Sequence, residues 1–237
     1  MFHPDGPSLG ELIVQALSST DRGYDLLAPK FEVTPFRTPD AVLKVALDAA
    51  GEVDTALDLC CGTGAAMRHL RARCRRLVVG VDRSAGMLAE AHKRVAEAPG
   101  ATPFALVRGD ALALPFRRAF DLVTCFGAFG HIPVRDEPRF VEQIARALRP
   151  GGCFVFVTTD PIPWWHPVWW MARGFNAAMH LRNALRKPEF VMYYLTFQLP
   201  RATALLEQAG FTVETRRGAF SRPYGRLVLV IARREGA

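Results

Sequence analysis

The chain has 237 residues, half of them hydrophobic and 22% charged, which is enough to bury one sizeable core and too apolar for a disordered chain. Its formal net charge of +7 would help attract an anionic partner, but the basic residues are scattered and densest from Arg71 to Arg76, at a helix end where cations suit the dipole, so nucleic acid is not the expected partner. The five cysteines, Cys60, Cys61, Cys74, Cys125 and Cys153, are odd in number with no Cys-x-x-Cys pair and no histidine at ligand spacing, which indicates neither a disulfide framework nor a metal site.

In chain order, Met1-Phe-His-Pro-Asp-Gly-Pro7 lacks the basic start and apolar run of a signal peptide. No window reaches the ~20 apolar residues of a spanning helix, and a cytoplasmic location is expected. Asp40 to Ala50 sets Ala41, Val42, Val45, Ala46 and Ala49 at helical spacing behind an aspartate able to cap the first turn. Thr55 to Cys60 reads as a strand, followed by a glycine turn and a helix from Ala65 to Cys74. Arg76 to Asp82 is a second strand, Ser84 an N-cap, and Ala85 to Ala98 a helix ended by Pro99-Gly100. Thr102 to Gly109 and Phe120 to Cys125 are the third and fourth strands. Glu137 to Leu148 is a helix stopped by Pro150-Gly151-Gly152, and Cys153 to Thr159 is the fifth strand. Such alternation argues for a mainly parallel sheet covered on both faces. Residues 160–200 break the regularity and read as an insertion. A helix from Arg201 to Ala209 follows, then strands Phe211 to Thr215 and Arg226 to Ala232, joined without a helix as an antiparallel edge hairpin. Disorder is expected only in the first residues and in the tail from Arg233 to Ala237.

In an open parallel sheet, ligands bind beyond the carboxyl ends of the strands near the switch point. Asp58 lies in the first strand, with Gly62 and Gly64 in the turn after it, where missing side chains let a ligand approach the backbone. The turn would also suit a dinucleotide pyrophosphate, but Met67 stands where the third glycine of Gly-x-Gly-x-x-Gly would fall. Asp82 ends the second strand roughly 20 residues on, where a carboxylate can accept from ribose hydroxyls or merely cap the next helix. Gly109-Asp110 at the third strand end brings three such ends into register, which favours the ribose.

These stretches resemble the class I S-adenosyl-L-methionine (SAM) dependent methyltransferases, particularly the small-molecule group with the ubiquinone and menaquinone methyltransferases, from about Tyr24 to Ala232. Leu57-Asp-Leu-Cys-Cys-Gly-Thr-Gly64 resembles the first motif of that family, Val81-Asp-Arg-Ser84 its acidic second strand end, and Gly109-Asp-Ala-Leu-Ala-Leu-Pro-Phe116 its adenine-binding stretch. Phe120 to His131 and Leu148-Arg-Pro-Gly-Gly152 match its fourth and fifth segments. The resemblance implies an α/β fold: a Rossmann-like, seven-stranded, mostly parallel sheet with an antiparallel edge strand and helices on both faces. One domain would span 1–237, with residues 1–39 as an N-terminal cap and a lid insertion after the fifth strand. It implies SAM as cofactor and S-adenosyl-L-homocysteine as product. Asp58 and the backbone around Cys60, Gly62 and Gly64 would hold the methionine part, and Asp82 the ribose. Arg83 and Met87 would flank adenine, Asp110 would accept its amino group with Ala111 beside it, and Cys125 and Phe126 would line the sulfonium end.

An electrophilic methyl group needs alignment with its acceptor and exclusion of water more than activation. A phenol, acid or activated carbon as acceptor calls for a base, and His131, between the fourth strand and Pro133, is the candidate; the alternative is that it packs the turn. His166, His180, Tyr193 and Tyr194 are within or after the insertion and either reach the acceptor from above or pack a helix or lid, packing being the expected role. Trp164, Trp165, Trp169 and Trp170 either wall an apolar pocket or pack on the sheet edge. A helix through them would put Trp165 and Trp169 on one face, with Arg173, Arg182, Arg186 and Lys187 free to meet lipid phosphates. Arg37, in the Pro-bounded Thr34 to Pro39 loop, either binds the SAM carboxylate or is solvated. The Asn/Asp-Pro-Pro-Tyr/Phe motif of amine-directed relatives is absent after the fourth strand, where Cys125-Phe-Gly-Ala128 stands. The expected activity is therefore O- or C-methylation of a small hydrophobic or aromatic acceptor. Competing readings are an RNA or protein methyltransferase, a SAM-binding protein without turnover, and a nicotinamide-dependent dehydrogenase. Oligomeric state is not legible.

Overall fold

The computed structural model describes residues 4–236; Met1 to His3 and Ala237, which the sequence reading assigns to the cap and the tail, lie outside the described residues. Helix α1 (Leu9–Leu17) opens with a capping box in which the Ser8 hydroxyl accepts from the Glu11 N–H and the Glu11 carboxylate accepts from the Ser8 N–H. Sequence reading passed over this helix, although Ser8-x-x-Glu11 is its signature. Helix α2 (Thr20–Leu27) is capped by Ser19 and runs into a 3₁₀ segment over Ala28–Val33. Helix α3 (Asp40–Ala50) then leads to β1 (Val53–Leu59), α4 (Ala65–Leu70), β2 (Cys74–Asp82), α5 (Ala85–Ala96), β3 (Phe104–Arg108) and β4 (Phe120–Cys125). The second half is α6 (Glu137–Ala147), β5 (Leu148–Thr159), α7 (Pro167–Leu185), α8 (Leu199–Gln208), β6 (Phe211–Arg216) and β7 (Leu227–Arg234).

The seven strands form one sheet in the order β3-β2-β1-β4-β5-β7-β6. β1 to β5 are mutually parallel, and β7 runs antiparallel to both β5 and β6, so the expected hairpin closes that edge with β7 inserted behind the outermost β6. Alternate residues serve opposite faces. Ala56, Val78, Leu122 and Val155 pack with Val42 and Leu47 of α3 and Met67 and Leu70 of α4. Leu57, Val79, Val123 and Phe154 pack with Phe140 and Ile144 of α6 and Ala202 and Leu206 of α8. Strand order reverses beside β1, opening a crevice at the carboxyl ends of β1 and β4.

Most boundaries shift by one or two residues from the sequence reading, and three departures go further. α4 ends at Leu70 rather than Cys74, because Cys74 already pairs with Val53 to start β2, its thiol donating to the Asp54 carbonyl. Pro150-Gly151-Gly152 does not stop a helix. Leu148 pairs with Phe120 and Cys153 with Leu122, so the intervening residues bulge out of β5, with Gly151 at φ 77°. The tail is ordered through Arg234, and the Glu235 N–H donates to the Gly210 carbonyl.

Candidate active site

A cavity of about 570 Å³ occupies the crevice, within the range of small-molecule sites. Its floor is the turn after β1, where the chain reverses through left-handed conformations at Cys60 (φ 53°), Gly62 (φ 52°) and Gly64 (φ 80°). A non-glycine residue at such a φ is strained, and here the strain sits on the turn that faces the cavity. Gly62 aims its N–H at Asp82 Oδ2 (2.9 Å), and the Ser84 N–H reaches Asp82 Oδ1 (2.9 Å), so the carboxylate at the end of β2 is fixed by backbone from two directions. Burial pushes the Asp82 carboxyl above its ordinary value, against the pull of the Ser84, Gly62 and Arg83 backbone donors.

Asp58, deep in β1, accepts from the Thr124 hydroxyl at 2.7 Å. Burial raises its carboxyl to about 7, Thr124 opposes this, and the neighbouring Asp82 charge adds to it. The floor therefore carries two carboxyl groups short of countercharge, an arrangement that favours a cationic ligand. Met87, Asp110, Ala111 and Phe126 also line the cavity. Asp110 Oδ1 accepts from the Leu112 N–H, while Arg83 pairs with Asp21 of α2 at 3.0 Å and approaches Asp110 at 3.6 Å, spanning the mouth.

Two expected site residues are elsewhere. Gly64 is turned away from the cavity, and a Cβ there would meet Val95 Cγ2 at 2.5 Å, so its role is the close approach of the turn to α5. Cys125 is fully buried behind Cys60 and does not line the cavity; its hydrogen bond with the Cys60 thiol, and then burial, hold it protonated. Met67, in place of a third glycine, lies under β2, where a Cβ on Gly80 would meet its sulfur at 2.4 Å.

His131 lies in a 3₁₀ turn over Phe129–His131 with both ring nitrogens engaged. Nδ1 is 2.6 Å from the Val191 carbonyl, which can only accept, so Nδ1 carries the proton and Nε2 accepts from the Tyr24 hydroxyl at 2.7 Å. Burial keeps the imidazole below its usual value, hence neutral at pH 7, and pushes the Tyr24 phenol up, with the Asp82 charge adding to it. Tyr24 is a site residue that sequence reading missed; 107 positions separate it from His131, and no spacing rule joins them.

The outer wall is residues 191–196, which line the cavity with Tyr193 and Tyr194 among them, while His166, His180 and the four tryptophans are absent from it. Two asparagines on α7 hold this wall. Asn183 exchanges both amide bonds with the backbone of Phe190 (3.0 Å each), and Asn176 does so with Tyr194 (2.9 and 2.8 Å). α7 begins at Pro167, so Trp165 precedes the helix instead of sharing a face with Trp169. Trp164, Trp165 and Trp170 are exposed, not packed on the sheet edge. Arg37 is not solvated either: it lines the cavity, bound to Glu32 at 3.1 Å and Asp40 at 2.8 Å.

A seven-stranded sheet with a glycine turn and strand-end carboxylates at its switch point defines a Rossmann-like α/β protein with the architecture of the methyltransferases. Residues 56–152 match a family described as a methyltransferase domain. The demethylmenaquinone methyltransferase of Lactiplantibacillus plantarum is 39% identical over 120 residues, covering 48% of this chain and 49% of that one. The dTDP-4-amino-2,3,4,6-tetradeoxy-D-glucose N,N-dimethyltransferase of Saccharopolyspora spinosa is 28% identical over 210 residues, 76% of this chain and 78% of that one. The solved DhpI–SAH complex superposes with a TM-score of 0.65 at 20% identity, over 96% of this chain and 99% of that one. The chain is thus similar to known methyltransferases in sequence over residues 56–152 and in fold over nearly its whole length. It spans about half the length of the quinone methyltransferases it matches.

Proposed function

We propose that the protein transfers a methyl group from SAM to a small hydrophobic or aromatic acceptor, at oxygen or carbon. The observation that carries the cofactor part of this reading is Asp82, which lines the cavity clamped by the Gly62 and Ser84 N–H groups and keeps acceptor capacity for a pair of ribose hydroxyls. Arg83, Met87, Asp110 and Ala111 would enclose the adenine. Asp58, Cys60 and Gly62, with Arg37 at the rim, would take the amino-acid end, while Phe126, just past the end of β4, would line the sulfonium end. When bound, the cofactor supplies a methyl group on a cationic sulfur, already electrophilic. The residues of this chain align the acceptor, exclude water behind Tyr193 and Tyr194, and take up the acceptor proton. A hydroxylic acceptor would give its proton to Tyr24 Oη as Tyr24 passes its own to His131 Nε2, leaving an imidazolium whose Nδ1–H rests on the Val191 carbonyl. His131 is thus the terminal base, with Tyr24 between it and the acceptor.

A second reading, a small-molecule amine as acceptor, is favoured by the sugar N,N-dimethyltransferase, which matches over more of the chain than the quinone enzymes do. Calorimetric titration with SAM and S-adenosylhomocysteine tests the shared part. Native protein is expected to bind both, and Asp82→Ala to bind about 10- to 100-fold more weakly, the cost of charge-assisted hydrogen bonds. Failure of the native protein to bind either ligand would overturn the proposal. Turnover is read as S-adenosylhomocysteine formed with quinol, phenol and aminosugar panels, which separates the two acceptor classes.

A further inference from the structure

The outer face of α7 has no partner among the described residues. Ala172, Met179 and Asn183 point inward and are buried, while Trp170, Gly174, Ala177, Ala178, Leu181 and Leu185 recur at helical spacing along the opposite side, all exposed. Trp170 is 61% exposed, Leu181 60% and Leu185 79%, so this is an apolar row in water with three large side chains, about 22 Å long at 1.5 Å per residue. Trp164 and Trp165 extend it past the helix start, their rings edge to face at 5.9 Å.

Charge selects the occupant. Between Asp160 and Glu189 no acidic residue occurs, while Arg173, Arg182, Arg186 and Lys187 do. Arg182 is spent internally, its guanidinium tying α7 to the Ala16 and Ser18 carbonyls of the α1 end. Arg173 lies over the Trp169 ring at 4.9 Å, and Arg226 lies beside His166 at the helix start, so cations border the apolar row rather than interrupt it. Alongside, α1 exposes Leu9, Ile13 and Leu17, one residue per turn. An apolar stripe edged by arginines, with tryptophans at one end, is the pattern of a helix lying in the headgroup region of a bilayer. Among the described residues no helix is long and apolar enough to cross a membrane.

We propose that α7, with the Trp164-Trp165 turn, docks this face on an anionic lipid surface. Because Asn176 and Asn183 fasten the cavity wall to the inner side of the same helix, docking would set that wall against the bilayer, where an apolar acceptor resides. The 237-residue protein is floated with vesicles of phosphatidylcholine and phosphatidylglycerol in equal parts, and with phosphatidylcholine alone, in the absence of cofactor and acceptor. Expected are co-flotation with the anionic vesicles, a blue shift of tryptophan emission, and weakening as salt rises. Trp170→Ser combined with Leu181→Ser should reduce the bound fraction about tenfold, and Arg173→Glu with Arg186→Glu should remove the preference for anionic lipid. All four side chains are exposed and none lines the cavity, and circular dichroism checks that the variants fold. The proposal is overturned if native protein stays with the solvent, if the variants float as it does, or if native protein is a dimer that Trp170→Ser dissociates. That last result would give the face to a second copy.

Discussion

One residue in the floor of the cavity couples its chemistry to pH. Asp58 has a carboxyl raised to about 7 by burial, above its unfolded value, so the cofactor-free fold prefers the protonated acid. Between the unfolded value and about 7 the unfolded chain has released this proton while the folded one retains it, so this group's contribution to stability falls as pH rises through that window. A ligand bearing an ammonium group reverses the preference by favouring the carboxylate, and its binding must then expel a proton below pH 7. SAM affinity is accordingly expected to rise by up to about tenfold per pH unit toward 7 and then level off. In Asp58→Asn, which keeps an acceptor for Thr124, the same titration should be weaker and flat; a native affinity unchanged from pH 5.5 to 8 would refute the coupling. Tyr24 makes a different prediction. Tyr24→Phe removes the hydroxyl between acceptor and His131 but leaves the ring contacts with Phe31 and Phe190. Turnover on a hydroxylic acceptor should fall about 10²-fold, the lower range for a lost acid–base partner, while calorimetric SAM affinity stays within about twofold. An equal loss in both would make Tyr24 a packing residue.

Elements were legible where a single physical pattern controlled them. β1, β2 and β4 are short apolar runs buried on both faces, and Ser84 announces α5 because its hydroxyl accepts from the Met87 N–H. What escaped depended on contacts far apart in sequence. Nothing in Leu57 to Gly64 says that Gly64 faces α5 while Gly62 faces a ligand, since both take left-handed φ and only the packing of Val95 tells them apart. Cys125 was misplaced for the same reason, its alternation along β4 sending it into the core while Phe126 turns to the cavity. The insertion was read through its tryptophans, the most conspicuous residues, although the wall it contributes is the plainer run 191–196. That wall leans on Gly130: a Cβ there would lie 2.7 Å from the Tyr193 carbonyl oxygen, and the Tyr193 N–H donates to the Gly130 carbonyl at 2.8 Å. Gly130→Ala must push the wall outward, because backbone on both sides cannot yield as a side-chain end would. The acceptor KM is expected to rise about tenfold or more, a displacement of about 1 Å being costly to alignment, with the SAM dissociation constant nearly unchanged. A change confined to SAM binding would contradict this division of the cavity.

Across the whole molecule, the cavity is assembled from parts that the sheet does not hold together by itself. Asp25 of α2 accepts from the Ser84 hydroxyl and the Gly86 N–H, which plugs the N-terminal helices onto the start of α5. Arg83 reaches from the end of β2 to Asp21 on that same helix, and Tyr24 joins it to His131. Glu32 accepts from the Thr63 hydroxyl at 2.5 Å and holds Arg37 and Arg68. The ties to Ser84, Arg83 and Thr63 run from the N-terminal segment to residues just past the ends of β1 and β2, where the cofactor would lie, so bound ligand and cap support the same turns from opposite sides. A ligand that binds only the folded state stabilises it in proportion to the logarithm of its excess, about 2.7 kcal/mol at one hundred times its dissociation constant. For a chain of this length that corresponds to a rise in Tm of about 5 to 10 °C. S-adenosylhomocysteine should produce that shift in a thermal scan of native protein. Arg83→Ala, which cuts the strap to Asp21 and Asp110 but leaves Asp82 and its backbone clamp in place, should lower the starting Tm slightly and retain most of the increment. Asp82→Ala should lose the increment at the same ligand concentration. If both variants lost it equally, the cap and the cofactor contacts would be one cooperative unit and not two sides of a shared boundary.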